Sequence, residues 1–371
     1  MDAQKVMVAL FARRFFNKRN VLSLVCLSVT FLFSIASHAD EQSASSSYQR
    51  DEKINVAVAA NFAKPLKSIA QQFTQLTGID VAVTVSSSGT LYAQIQHGAG
   101  FDVFLSADRT RPQALVDNNV VHKNNLVDYA QGKLAFIYAS ELPEHLNTQL
   151  TARLTEQLTQ LTKIPNNKIA IANPKLAPYG EAAKQTLQSL SLWQRIVPHK
   201  VMGKNVLQTL QFYTTGSAQG AFVAYSLALE LPNANLASGG NDKRTNINNG
   251  VDKSVDKSID SSAMATTAII PVPQSLHKTI IQSLVVNQKH AATLSPNLFD
   301  VQAEAQGDLV EQRGVQTSGH VIAQVPISFN LSDAKGVSSA SLFVQFLMSK
   351  NVQQSLTEWG YQPASTAGTT E

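Results

Sequence analysis

Apolar runs and amphipathic segments alternate along the first part of the chain. A β-branched, Ala-rich run at 54–59 predicts a buried strand. Apolar residues at helical spacing over 64–76, closed by Gly78, predict the helix that follows. The runs at 79–85 and 101–105 predict two more strands, with a helix between them. Strands that alternate with helices at this pitch predict a parallel, doubly wound sheet.

A second set of similar units follows. Strands are predicted at 133–139, 168–172 and 221–225, and helices at 179–190 and 205–213. Two such sets in one chain predict an α/β protein with two lobes, each a mostly parallel sheet flanked by helices. The length of 371 residues agrees with about two domains.

Two polar stretches interrupt this pattern. Residues 232–264 are rich in Asn, Ser, Gly, Asp and Lys, and we expect a disordered insertion there. A second polar insertion is predicted at 287–319. The predicted organisation is a discontinuous lobe I of 54–132, 266–286 and 330–363, with lobe II at 133–230.

Residues 1–39 have the pattern of a secretory signal. A basic segment precedes an apolar run at 21–35, and small residues at Ser37 and Ala39 suit cleavage after Ala39. The run has about 15 residues, fewer than the roughly 20 that a spanning helix needs. We therefore expect export to a bacterial periplasm.

The charge gives no reason to expect a nucleic-acid partner. The formal net charge is +4, but residues 1–39 carry five of the 30 Lys and Arg and one of the 26 Asp and Glu. The remaining chain is neutral, without the basic excess that nucleic-acid binding requires.

Motifs of catalysis are absent from the sequence. It has no G-x-S-x-G elbow, no H-E-x-x-H pair and no Gly-rich phosphate loop after a strand. A single cysteine, Cys26, excludes a multi-cysteine metal site, and the histidines have no metal-ligand spacing. The chain is predicted not to be an enzyme.

Small polar residues stand where predicted strands end and helices begin. Asn61 follows the first strand and a Ser-rich turn at 86–90 follows the second. Residues of these types also cap helix N-termini, and for each of them taken singly, capping is the alternative to ligand binding. Helix N-termini at the carboxyl ends of strands also present N–H groups to a ligand. Together the two junctions predict an anion site made of neutral donors.

Several segments resemble a known family. INVAVAANFAKPLKSIAQQF (54–73), SSSGTLYAQIQHGAGFDVFLSAD (86–108) and NPKLAPYGEAAKQTL (173–187) are similar to periplasmic molybdate-binding proteins of ABC transporters. The resemblance covers 54–230 and continues at 266–286 and 337–361. It implies a type II periplasmic binding protein that closes on molybdate or tungstate in the cleft between its lobes, without a cofactor. The implied partner is a membrane permease of an ABC importer, and the implied state is a monomer.

The resemblance also implies which residues bind the oxyanion, as ligands to its oxygens rather than to the metal. Asn61 occupies the polar position after the first strand, Ser88 the key position of the Ser-rich turn, and Tyr179 the P-Y-G turn. Val206 contributes a backbone N–H at a helix start. Second-rank candidates are Ala60, Ser87, Ala224 and Tyr225.

Neutral donors suit an anion that only accepts hydrogen bonds. Molybdate, tungstate and sulfate are fully deprotonated at neutral pH, whereas phosphate keeps a proton for much of the time. None of the implied ligand positions is acidic. The alternatives that stay open are a binding protein for sulfate or another oxyanion, and a divergent surface sensor with the same fold.

Overall fold

The structure is a computed structural model that describes residues 53–140, 149–232, 234–236, 266–287, 289 and 336–363. The described residues form two six-stranded sheets with helices packed on them. In chain order the strands are β1 Lys53–Ala59, β2 Asp80–Ser86, β3 Val103–Leu105, β4 Leu126–Gly132, β5 Leu134–Ser140, β6 Ile169–Ala172, β7 Lys200–Gly203, β8 Gly220–Ala224, β9 Ala234–Leu236, β10 Thr266–Pro271, β11 Ile280–Val286 and β12 Gln362–Pro363.

The helices follow the same alternation. They are α1 Ala63–Thr77, α2 Ser88–Gln96, α3 Thr110–Asp117, α4 Leu150–Leu161, α5 Pro178–Ser189, α6 Trp193–Ile196, α7 Val206–Thr214, α8 Tyr225–Ala228, α9 Ser339–Met348 and α10 Lys350–Ser355. A 3-10 turn, Ala60–Phe62, joins β1 to α1. No helix among the described residues has the length and apolarity needed to cross a membrane.

Both sheets mix parallel and antiparallel pairs. The first has the order β12-β4-β11-β3-β1-β2 and the second β7-β6-β8-β5-β10-β9. Pairs β1–β2, β1–β3, β6–β7, β6–β8 and β9–β10 are parallel, and the other pairs are antiparallel. The two-lobed α/β architecture is confirmed. The expectation of mostly parallel sheets holds for strand direction: among the described strands, β5 runs against the other five of the second sheet, and β11 and β12 run against the other four of the first.

Strand pairing also corrects two predicted boundaries. The sequence predicts residues 266–286 in lobe I, but β10 (Thr266–Pro271) pairs with β5 in the second sheet, and of the two strands in this segment only β11 lies in the first. Residues 234–236, inside the predicted insertion 232–264, form β9 beside β10. A three-residue strand without periodicity is too short for sequence patterns to detect. The predicted signal 1–39, residues 233 and 237–264 of the first insertion, and almost all of 287–319 lie outside the described residues.

The apolar residues at helical spacing in α1, its apolar stripe, pack into the core of the first lobe. Leu66, Ile69 and Phe73 of α1 are buried. The ring of Phe73 packs 5.2 Å from that of Phe343 on α9, in an edge-to-face arrangement. Gly78 ends α1 in the left-handed conformation (φ 72°), as its position after the stripe predicts.

The chain passes from the first sheet to the second between β4 and β5, and Gly132 at this point has no room for a side chain. A Cβ on Gly132 would overlap the hydroxyl of Tyr179 and lie 2.9 Å from Gln282 Nε2. The absence of a side chain at the crossover therefore lets a tyrosine of α5 reach the first sheet.

Gly132→Ala is expected to lower the free energy of unfolding by about 1–3 kcal/mol, because the added methyl group overpacks a buried contact. Chemical denaturation measures the change. Gly100→Ala is the matched control, since a Cβ there meets nothing within 4 Å and is expected to have little effect. Adding Tyr179→Phe to Gly132→Ala removes the clashing hydroxyl and should restore part of the stability; an equally unstable double variant would contradict this account.

A buried glutamine in α9 has no side-chain hydrogen bond to the described residues. Gln345 is 3% exposed. Neither its Nε2 nor its Oε1 has a partner within the described part of the chain. A buried amide without partners loses its hydration without compensation.

Gln345→Met is expected to raise the free energy of unfolding by about 1–3 kcal/mol, since it removes two unsatisfied polar atoms at nearly constant volume. Urea denaturation followed by circular dichroism measures the difference. A Gln345→Met protein less stable than the wild type would show that the amide has a partner in solution.

Candidate functional site

Starts of helices and turns in both lobes follow the carboxyl ends of strands. In the first lobe the turn at Ala60 follows β1 and α2 follows β2. In the second lobe α5 lies beyond β6, and α7 follows β7 after two residues. Ala60 and Asn61 are 3% and 1% exposed, and no side chain in the described part of the chain caps their turn. A buried helix start without a cap has N–H groups that need an acceptor from elsewhere.

The two sets of helix starts meet each other. Ala60 and Ala107 of the first lobe lie in the same buried cluster as Tyr179 and Val206 of the second. The turn at Ala60 also contacts α7. The N-terminal ends of helices from both lobes therefore converge on one buried region.

Direct hydrogen bonds join the lobes beside this region. The N–H of Gly89 donates to the carbonyl of Leu176 at 2.8 Å. Arg111 Nη2 donates to the carbonyl of Lys175 at 2.9 Å, and its Nη1 pairs with Asp108. An open groove of about 610 Å³ lies next to this contact and is lined by Gly89, Leu176 and the exposed face of α2. The predicted ligand residues do not line that groove, because they lie in the interior between the closed lobes.

Asn61 has its side chain engaged by the protein. Its Nδ2 donates to Gln282 Oε1 at 2.8 Å and to Tyr361 Oη at 3.2 Å. Its backbone carbonyl accepts from Tyr361 Oη at 2.7 Å. The side-chain amide hydrogens are therefore used internally, and the backbone N–H of Asn61 in this turn has no acceptor among the described residues.

Ser88 is fully buried at the start of α2, and its hydroxyl oxygen accepts from the N–H of Ala107 at 2.9 Å. Its hydroxyl hydrogen has no acceptor among the described residues. Ser87 has a different position: its Oγ caps α2 by accepting from Thr90 N at 3.2 Å and bonds Thr90 Oγ1 at 2.8 Å. The structure thus gives Ser87 the capping role that the sequence left open for both serines.

Tyr179 reaches from α5 into the region between the lobes and is 2% exposed. Its Oη accepts from Gln282 Nε2 at 3.4 Å, and its hydroxyl hydrogen has no acceptor among the described residues. Burial, and secondarily the neighbouring Tyr361 and Tyr129, raises the pKa of Tyr179 well above its ordinary value. Tyr179 therefore stays protonated and can act as a donor at neutral pH.

Val206 is the first residue of α7 and is 3% exposed. The side chain of the preceding Asn205 caps the helix by accepting from Gln208 N at 2.9 Å. As the first residue, Val206 has an N–H outside the intrahelical hydrogen bonds, as the sequence-based role requires.

The structure places the second-rank pair Ala224 and Tyr225 at the crossover. Ala224 ends β8 and pairs with Leu134 of β5. The N–H of Tyr225 donates to the carbonyl of Lys133 at 2.8 Å. A Cβ on Gly360 would lie 2.9 Å from the Tyr225 ring, so the ring packs against the C-terminal segment. The Tyr225 N–H is thus engaged at the crossover.

Sequence reasoning missed four residues that hold the predicted ones in place. Gln282 on β11 bonds Asn61 and Tyr179, and Tyr129 Oη donates to Gln282 Oε1 at 3.0 Å. Ser226 Oγ donates to Tyr361 Oη at 2.9 Å. A lone Gln in an apolar strand and a Tyr near the C-terminus carry no local signal, because only the folded chain brings them to the site.

The side chains of this network are uncharged. Burial raises the pKa of Tyr129 and of Tyr361, so both keep their protons at neutral pH. Among the described residues, no group of three or more His, Cys, Asp or Glu side chains could hold a metal ion. The arrangement offers neutral N–H and O–H donors to a ligand that accepts hydrogen bonds.

Comparison with known proteins places the chain in a family. A model of the family described as "Bacterial extracellular solute-binding protein" matches residues 54–362. Molybdate-binding proteins ModA of Rhodobacter capsulatus and Azotobacter vinelandii are 39% and 40% identical over 174 residues, which is 47% of this chain. The match spans 65% of the length of each of these relatives.

Solved structures agree on the fold. The periplasmic molybdate-binding protein of Azotobacter vinelandii matches with a TM-score of 0.53 at 22% identity, covering 84% of this chain and 100% of that chain. A periplasmic thiamin binding protein matches with a TM-score of 0.50 at 12% identity, covering 85% and 84%. The chain belongs to the family of bacterial extracellular solute-binding proteins, and it is a binding protein rather than an enzyme.

Proposed function

We propose that this chain is the solute-binding component of an ABC importer and that it captures molybdate or tungstate between its lobes. The observation that carries the proposal is the direction of two buried hydrogen bonds. Ser88 of the first lobe and Tyr179 of the second both accept from the protein, so each hydroxyl hydrogen is left for a ligand. A ligand that meets both must be an acceptor.

The proposed ligand set follows from the donors that remain. Ser88 and Tyr179 contribute O–H groups. Asn61, with second-rank Ala60 beside it, contributes through backbone N–H groups of the uncapped turn, and Val206 through its helix-start N–H. The partial positive charge of these helix starts favours an anion without a cationic side chain.

The energies of such donors suffice for tight binding. A hydrogen bond to a charged group contributes roughly 1.5–3 kcal/mol, so about six donors supply on the order of 10–20 kcal/mol before ordering costs. A nanomolar dissociation constant corresponds to about 12 kcal/mol. Neutral donors from both lobes can therefore replace the hydration of a dianion.

The relatives support the choice of anion and of partner. The curated relatives named above are molybdate-binding proteins, and the family is extracellular. We infer a periplasmic location reached through a signal peptide at 1–39, delivery to a membrane permease, and a monomeric state without nucleic-acid partners.

Thermal unfolding of the chain without residues 1–39 tests the ligand. Molybdate or tungstate at about a thousand times its dissociation constant should stabilise the protein by roughly 4 kcal/mol, a rise in Tm on the order of 10 °C. Phosphate should give no comparable rise, because its proton needs an acceptor. If neither molybdate nor tungstate raises Tm, the proposal is overturned. If only sulfate raises Tm, sulfate takes the place of molybdate as the proposed ligand.

Variants of the neighbouring residues Ser88 and Ser87 form a matched pair that tests the proposed site. Ser88→Ala should weaken molybdate binding by about 1–3 kcal/mol, since a buried anion loses a donor. Ser87→Ala should lower stability by about 1 kcal/mol through loss of the cap while affinity stays nearly constant.

Isothermal titration calorimetry measures the affinities of both variants. Ser88→Ala also leaves the Ala107 N–H without its acceptor, so both variants lose stability and only the first should lose affinity. Equal affinity in the two variants would remove Ser88 from the ligand set.

A further inference from the structure

A fully buried glutamine connects two of the proposed ligand residues. Gln282 on β11 is 0% exposed. Its Oε1 accepts from Asn61 Nδ2 at 2.8 Å and from Tyr129 Oη at 3.0 Å. Its Nε2 donates to Tyr179 Oη at 3.4 Å. One amide thus touches a ligand residue from each lobe with opposite ends.

The orientation of the Asn61 amide follows from the protons that Tyr361 can supply. Tyr361 Oη has one hydrogen, which it donates to the backbone carbonyl of Asn61 at 2.7 Å. It therefore faces Ser226 Oγ at 2.9 Å and the Asn61 side chain at 3.2 Å as an acceptor. The Asn61 atom on this side must be the donor, Nδ2.

The same nitrogen then determines the orientation of Gln282. Asn61 Nδ2 also lies 2.8 Å from the Gln282 amide, so it must meet Oε1, and Nε2 must face Tyr179. An amide nitrogen does not accept hydrogen bonds, so Tyr179 Oη is the acceptor in this pair. The hydroxyl hydrogen of Tyr179 is directed elsewhere.

We propose that Gln282 is a positioning residue that keeps the Tyr179 hydroxyl as a donor to the ligand, and that it thereby selects anions that only accept hydrogen bonds. The inference rests on the proposed function, in which the anion lies against Tyr179 and Ser88. A carboxylate in place of Gln282 would accept at both ends, draw the Tyr179 hydrogen away from the ligand and add a negative charge beside it.

The variant Gln282→Glu tests this directly. At about pH 8 an ionised glutamate should weaken molybdate binding at least about 100-fold by calorimetry. Burial raises the pKa of a carboxyl group, and a protonated glutamic acid presents one acceptor and one donor, like glutamine. Lowering the pH to about 6 should therefore recover at least about tenfold of the lost affinity, while the wild type changes little.

The tyrosines around Gln282 stay protonated over this range. Tyr129 on β4, Tyr179 on α5 and Tyr361 before β12 face it, and burial raises the pKa of all three. Asp108 acts electrostatically on Tyr129 and Glu230 on Tyr361. The nearby charged pairs are Arg111 with Asp108 and Arg109 with Asp128, whose Oδ1 accepts from Ser283 Oγ next to Gln282.

Gln345→Glu provides the matched control. Gln345 is a second buried glutamine of the first lobe, with no hydrogen bond to this network among the described residues. The control carries the same chemical change, and its molybdate affinity should stay within about twofold of the wild type at both pH values. A pH-dependent loss in the control equal to that of Gln282→Glu would overturn the assignment.

The remaining outcomes separate the two proposals. A wild type that binds no molybdate overturns the proposed function and this inference with it. A wild type that binds, with a Gln282→Glu variant of unchanged affinity or a loss that is the same at both pH values, overturns the inference alone.

A double-mutant cycle applies if Gln282→Glu does not fold. Tyr179→Phe should cost about tenfold or more in the wild type and no more than about threefold in the Gln282→Met background, because Tyr179 is no longer held as a donor there. Equal costs in both backgrounds overturn the inference.

Discussion

A buried anion held without cations requires that the hydrogens around it point inward, and the hydrogen-bond directions in this protein satisfy that requirement. The hydroxyls of Ser88 and Tyr179 accept from N–H groups of the protein, and in our proposal they donate their hydrogens to the ligand. If the protein accepted these hydrogens, the same side chains would present lone pairs to the anion. The direction of the bonds matters here as much as the identity of the residues.

The same constraint explains why the contact between the lobes depends on the ligand in our proposal. Bringing the lobes together buries hydroxyl and amide donors, and each donor left without an acceptor costs about 1–3 kcal/mol. An anion with several acceptor oxygens removes this cost. Hydrogen bonds between the lobes, such as Gly89 to Leu176 and Arg111 to Lys175, then further stabilise the closed arrangement that the anion favours.

Proteins that share this fold bind different ligands. The chain shares its fold with a molybdate-binding protein and with a thiamin binding protein, and molybdate and thiamin differ in size and charge. The sheets and helix starts provide a buried region between two lobes. In our proposal, the donors and acceptors placed there, down to the orientation of Gln282, decide which solute fits.

The sequence by itself determined the local elements and the junctions, because hydrophobic periodicity and helix starts are short-range signals. It correctly predicted β1, α1 and the two-lobed architecture, and its resemblance to a family supplied Asn61, Ser88, Tyr179 and Val206 as candidates. Only the tertiary structure decided strand pairing, which moved 266–271 to the second sheet, and the roles of residues far apart in the chain. Gln282 and Tyr361 lie 221 and 300 residues from Asn61, and no pattern within a segment encodes a hydrogen bond formed at such separations.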